Sequence, residues 1–111
     1  VRAPSAIPQD RLGAFYHFRQ RVAERVSADV DAASLWFLVI EVIEGGIEGP
    51  ALKYICRLNR NGRCLWRVKF AGRVFFMVYD RDAGCPVTVL KPVGSLLRKD
   101  KGQLIDLAEY L

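Results

Sequence analysis

The chain is poor in the residues that build metal centres and disulfide frameworks. It has one histidine, His17, and three cysteines, Cys56, Cys64 and Cys85, an odd number with no CxxC spacing. A structural zinc site needs a full tetrahedral set of closely spaced ligands, so no metal or other cofactor is expected. The cysteines read instead as small buried thiols within strands. That usage suits a reducing, cytoplasmic working compartment, or delivery of the domain into a target cell's cytoplasm. Long apolar runs are also missing: the stretch 35–40 is interrupted at once by Glu41 and Glu44, so no membrane association is expected. No signal-peptide pattern opens the chain, and Val1 in place of Met suits a trimmed chain or a piece of a longer polypeptide. P-loop, dinucleotide-binding, zinc-protease and GxSxG patterns are absent. The acidic residues Asp29, Asp31, Glu41, Glu44 and Glu48 read as caps and solvent-facing helix positions rather than a metal site.

What remains is one domain, since 111 residues can bury a core without staples. Lys and Arg total 17 against 12 acidic residues, a formal charge of +5, which favours an anionic partner such as nucleic acid or an acidic protein. Residues 1–8 read as a Pro-containing lead or linker end, and 9–111 as a single α+β domain. A first helix starts near Gln9 with Leu12, Phe15, Phe18, Val22 and Val26 on one stripe, and ends at about residues 27–29. Asp31 or Ser34 caps a second helix that runs to Glu44 and stops at Gly45-Gly46. Four strand-like segments follow between Leu52 and Lys91. Asn61-Gly62 predicts a type I′ hairpin, Ala71-Gly72 a less clean one, and Asp82-Ala83-Gly84 a longer turn. The result is a four-stranded antiparallel meander. The tail after Pro92 reads as a helical turn, an interruption at Gly102, and a short C-terminal helix packed through Leu104, Leu107, Ala108 and Leu111.

Pairing Leu58 with Leu65 and Val68 with Phe75 sorts the sheet into two faces. Ile55, Trp66, Val68, Phe70, Phe75, Met77 and Leu90 share one, which receives the helices. Tyr54, Cys56, Leu58, Leu65, Arg67, Lys69, Val74, Phe76, Val78 and Val89 share the other. Cations on a half-apolar central strand are costly without a partner. Either the C-terminal helix covers them and pairs them through Asp106 or Glu109, or they form a phosphate-binding surface with aromatics for base stacking. On the first helix, His17, Arg21 and Arg25 form a ridge at i, i+4, i+8. This is a solvated helix face or an imidazole acid/base beside arginines suited to phosphate.

The order of elements, the His-xxx-Arg-xxx-Arg helix, the Gly62–Val68 and Gly72–Asp80 strand patterns and the Val87-Thr88-Val89 strand carry a resemblance. So does the tail LLRKDKGQLIDLAEYL, which is similar to that of phage-derived RelE-like proteins. The chain resembles the RelE-type toxin and barnase/colicin-like ribonuclease superfamily of small bacterial and phage domains. The resemblance implies metal-independent RNA cleavage by attack of the 2′-OH on its own phosphate, with His17 as acid/base. Arg21 and Arg67 would bind the phosphate, and Thr88 would hydrogen-bond it or position the water. Arg25, Tyr54, Arg57, Lys69 and Arg73 are expected to bind RNA, such as tRNA or mRNA. An acidic antitoxin or immunity protein is the expected protein partner. The alternative is a non-catalytic module of the same fold that grips RNA or protein.

Overall fold

The computed structural model describes residues 6–47 and 49–111. Two helices come first: α1 (Leu12–Arg25), entered through a 3-10 turn at Gln9–Arg11, and α2 (Ala32–Glu44). Strands β1 (Leu52–Arg57), β2 (Arg63–Phe70), β3 (Arg73–Asp80) and β4 (Cys85–Leu90) then form an antiparallel meander in the order β1-β2-β3-β4. The fold is α+β, with both helices on one sheet face and a short C-terminal helix, a 3-10 turn at Leu107–Tyr110. Glu48 and residues 1–5 of the expected lead lie outside the described residues. Ile7, near the end of that lead, is buried in the core.

The helices form where capping and periodicity agree. Phe15, Phe18 and Val22 are the buried stripe of α1, which ends at Arg25 and so a little earlier than the spacing suggests. Asp31 is the cap of α2: its carboxylate accepts from the N–H groups of Ala33 and Ser34, and from the Ser34 hydroxyl at 2.8 Å. Gly46, at φ 67°, lets the chain leave α2. The N–H of Gly46 reaches the Ile43 carbonyl and that of Ile47 reaches Val42, the paired bonds of a Schellman stop.

Two bulges revise the expected faces. Val68 does oppose Phe75, but Leu58 bonds to Arg63, not across to Leu65. In β1 the ladder passes from Tyr54–Trp66 to Cys56–Leu65 and leaves Ile55 over. Side chains alternate, so the extra residue reverses the phase: Tyr54 joins the helix-side core and Ile55 packs on the other side. A second irregularity skips Val87 next to Pro86, which has no N–H for the ladder. Val89 therefore enters the helix-side core, and Leu90 with Thr88 moves to the opposite face.

The tail departs from the helical expectation before its last turn. Residues 95–106 form a hairpin of β5 (Ser95–Arg98) and β6 (Gln103–Asp106), not a helical turn leading into a longer helix. Ile105 and Leu107 pack on Leu65, Phe76 and Val78, which makes a second core across the sheet from the helices. The Lys99 N–H donates to the Leu58 carbonyl at 2.8 Å and fastens the hairpin to the end of β1. Leu104 and Leu111, expected to pack, are exposed.

Candidate functional site

α1 packs chiefly along β4. Its last residue, Arg25, reaches round this edge strand, and the guanidinium Nη1 donates to the Val89 carbonyl at 3.0 Å and lies 3.4 Å from the Thr88 hydroxyl. One nitrogen makes both contacts, so the planar fork keeps further N–H donors for an anion. One turn earlier Arg21 donates to Glu24 at 2.9 Å, and Gln20 donates to the same carboxylate. These two hydrogen bonds, Gln20's first, hold the Glu24 carboxyl below its usual range. His17 is exposed on the same helix, about 12 Å from Arg25 along the axis at the α-helical rise. His17, Arg21, Arg25 and Thr88 thus lie along one helix face and the strand edge beside it.

Arg67 does not join them. It projects from β2 to the face opposite the helices, is half-buried, and donates through Nη1 to the Leu111 carbonyl at 3.2 Å. Its Nε is buried without a partner. Among the described residues no ion pair links Arg67 to Asp106 or Glu109, so the expected pairing is replaced by a backbone carbonyl of the tail. The expected open basic face is also smaller than the sequence suggests. The hairpin covers its centre, and the bulge carries Tyr54 under the helices, against Trp66. Arg57 pairs with Cys64 and Arg73 with Phe70, both helix-side residues, so neither arginine shares the face of Arg67. Arg57 is moreover tied to its own turn through the carbonyls of Asn59 and Arg60.

What survives of that face is a strip of Lys53, Arg67 and Lys69. Lys53 opposes Arg67 in the β1–β2 ladder, and Lys69 follows at alternate spacing. Like charges placed directly opposite are destabilising without an anion between them. Lys53 was not legible in the sequence, because the unbulged register puts Tyr54, and not its neighbour Lys53, on the face of Arg67.

The three cysteines are free and buried in β1, β2 and β4, as the sequence suggests. Burial pushes the thiols of Cys56 and Cys85 up, which makes them poor nucleophiles. Among the described residues no group of three or more His, Cys, Asp or Glu side chains could hold a metal ion, and no helix is long and apolar enough to cross a membrane. No family model, curated protein or solved structure matches the chain.

Proposed function

We propose that the protein is an RNA-cleaving domain that works from the outer face of α1 and the adjoining edge of β4. The observation that carries this reading is the junction of Arg25 with Thr88, 63 residues apart in the chain and both drawn from the motifs of the ribonuclease resemblance. In this reading Arg25, fixed by the Val89 carbonyl, and Arg21 hold a phosphate, and Thr88 offers its hydroxyl to the same group. His17 takes the proton from the attacking 2′-OH or delivers one to the leaving oxygen. Arginine then stabilises charge developing on the phosphorane. The formal charge of +5 suits both RNA and an acidic antitoxin or immunity protein.

Arg67 lies two strands in from the β4 edge, tied to the tail carbonyl of Leu111, and takes no part in the reaction here. Its strip with Lys53 and Lys69 favours a second reading, a non-catalytic module that grips an anionic chain on the opposite face. Cleavage of total RNA in EDTA by the wild type and by His17→Ala, Arg25→Ala and Arg67→Ala variants separates the two. Products ending in cyclic phosphate are expected, with a fall of on the order of a hundredfold or more for His17→Ala. Arg25→Ala is expected to be impaired, and Arg67→Ala to cleave at close to the wild-type rate. Intact RNA with every protein, in translation extract as well, would reject the nuclease. A loss of RNA binding in Lys53→Ala and Arg67→Ala would then establish the second reading.

A further inference from the structure

The C-terminal hairpin covers only part of the second core. Ile105 and Leu107 lie over Leu65, Phe76 and Val78, while Val87, Leu90 and Leu96 at its margin stay half-buried. Between β4 and β5 this margin forms an open groove of about 240 Å³, with Leu58, Val78, Val87, Leu90, Leu96 and Leu97 as its apolar lining. The skip at Val87 is what turns Leu90 toward the groove and away from the helices. Leu97 stands exposed on its wall.

The two cations of the groove, Arg63 and Lys99, stand together at one end. The Leu58 N–H donates to the Arg63 carbonyl at 2.8 Å, and the Leu58 carbonyl accepts from the Lys99 N–H at 2.8 Å, so one residue holds both beside it. Both cations are exposed. Arg63 has one carboxylate near it, Asp80 at 3.9 Å, which leaves most of its donors free. The Lys99 ammonium has no hydrogen bond or ion pair among the described residues. The other end of the groove is apolar. Arg63 opposes Asp80 and Leu90 opposes Phe76, positions separated by about 13 Å along β3 at the strand rise.

We propose that this groove binds a small amphipathic anion, a medium-length acyl chain ending in a carboxylate. The chain lies along Val78, Leu90 and Leu96, and the carboxylate sits between Arg63 and Lys99. What the lining lacks narrows the ligand to this class. No aromatic ring lines the groove, so a nucleobase finds no stacking partner. No carboxylate lines it either, so a cationic ligand finds no counter-charge. Apolar walls with a few polar groups at one end are what a small-molecule site requires. The inference goes beyond the proposed cleavage and does not rest on it. Thr88 lines the groove, but binding asks nothing of its hydroxyl, of Arg25 or of His17.

The test is titration of the full chain with octanoate, hexanoate, acetate and 1-octanol, each as a monomer in solution, and separately with phosphatidylglycerol vesicles. The readout is the methyl resonances of Val78, Leu90 and Leu96. Octanoate is expected to shift them saturably. Hexanoate, shorter by two methylenes, should bind roughly tenfold more weakly, and acetate should leave them unmoved. 1-Octanol, which keeps the chain but not the charge, should also bind roughly tenfold more weakly. The paired substitution Arg63→Gln and Lys99→Gln, at exposed residues, should bring octanoate down to the level of 1-octanol with the fold intact. Equal affinity for octanoate and 1-octanol in the wild type, or octanoate binding indifferent to the paired substitution, would overturn the proposal. So would methyl resonances that octanoate leaves unmoved at millimolar concentration, or shifts produced by the vesicles alone, which would make the groove a membrane-facing patch.

Discussion

Ala71 has a φ of 53°, the one positive value outside glycine among the described residues. With Gly72 at 72°, it forms the two-residue turn between the paired residues Phe70 and Arg73, both centres left-handed as a type I′ hairpin requires. An L-residue with a Cβ pays for that conformation, whereas Asn and Gly tolerate it. Ala71→Asn is therefore expected to stabilise the protein by about 0.5–1 kcal/mol, read as a higher urea midpoint at unchanged slope. Residue-type preference pointed to Asn61-Gly62 as the tight turn instead. There the Asn59 side chain accepts from the N–H groups of Asn61 and Arg63 and organises a longer connection, in which only Gly62 is left-handed. A neighbouring side chain outcompeted the dipeptide signal.

At the scale of elements, the ends of α2 were legible because caps are local chemistry. Asp31 is held below the usual carboxyl range, first by the Ser34 hydroxyl and then by the Ser34 and Ala33 N–H groups. A carboxyl depressed by folding contributes stability above its unfolded value, here 3.8, and loses it as pH falls through the folded value. Asp31→Ala should cost about 1 kcal/mol at neutral pH. The gap between wild type and variant should then narrow on acidification below pH 3.8, as followed by thermal melts across pH. Asp31→Asn, which keeps an acceptor, should abolish the narrowing with only a small loss at pH 7. The tail was not legible in this way. Leu104, Leu107, Ala108 and Leu111 fit a helical stripe, while Leu96, Ile105 and Leu107 fit a hairpin lying on a sheet. Which pattern prevails depends on an apolar surface supplied by β2 and β3, far away in sequence. The bulges at Ile55 and Val87 are of the same kind, since each is the loss of one residue from a ladder whose partner strand is remote.

The whole molecule has three layers, with helices on one side of the sheet and the C-terminal hairpin on the other. Leu65, Phe76 and Val78 project one way and Val68, Phe75 and Met77 the other, so both cores hang on the same two strands. Unfolding is therefore expected to be one cooperative transition. Truncating Ile105→Ala should cost about 2–4 kcal/mol, the range for a large buried aliphatic cut to alanine. It should also hasten tryptic cleavage at Lys99 or Lys101, because the hairpin that carries them loses its anchor. A lower midpoint with the protease sites still protected would mean that the hairpin is held by its backbone bonds to Leu58 rather than by Ile105. The layering also divides the cations. Arg25 reaches round the β4 edge from the helix side to Thr88, whereas Arg67 stands on the central strand β2 and faces the tail.

The sequence by itself determined the elements whose signals are local: the apolar stripe of α1, the cap and stop of α2, the four strands, their order and the α+β class. Those follow from periodicity, turn chemistry and caps, which act over a few residues. Only the tertiary structure decided which residues meet. It carried Tyr54 beneath the helices, brought Arg25 to Thr88, set Lys53 against Arg67 and placed Glu44, Trp66 and Arg81 along one open cleft. The physical reason is register: one skipped residue turns a strand's later side chains to the opposite face, and nothing in a strand's own alternation marks where the skip occurs.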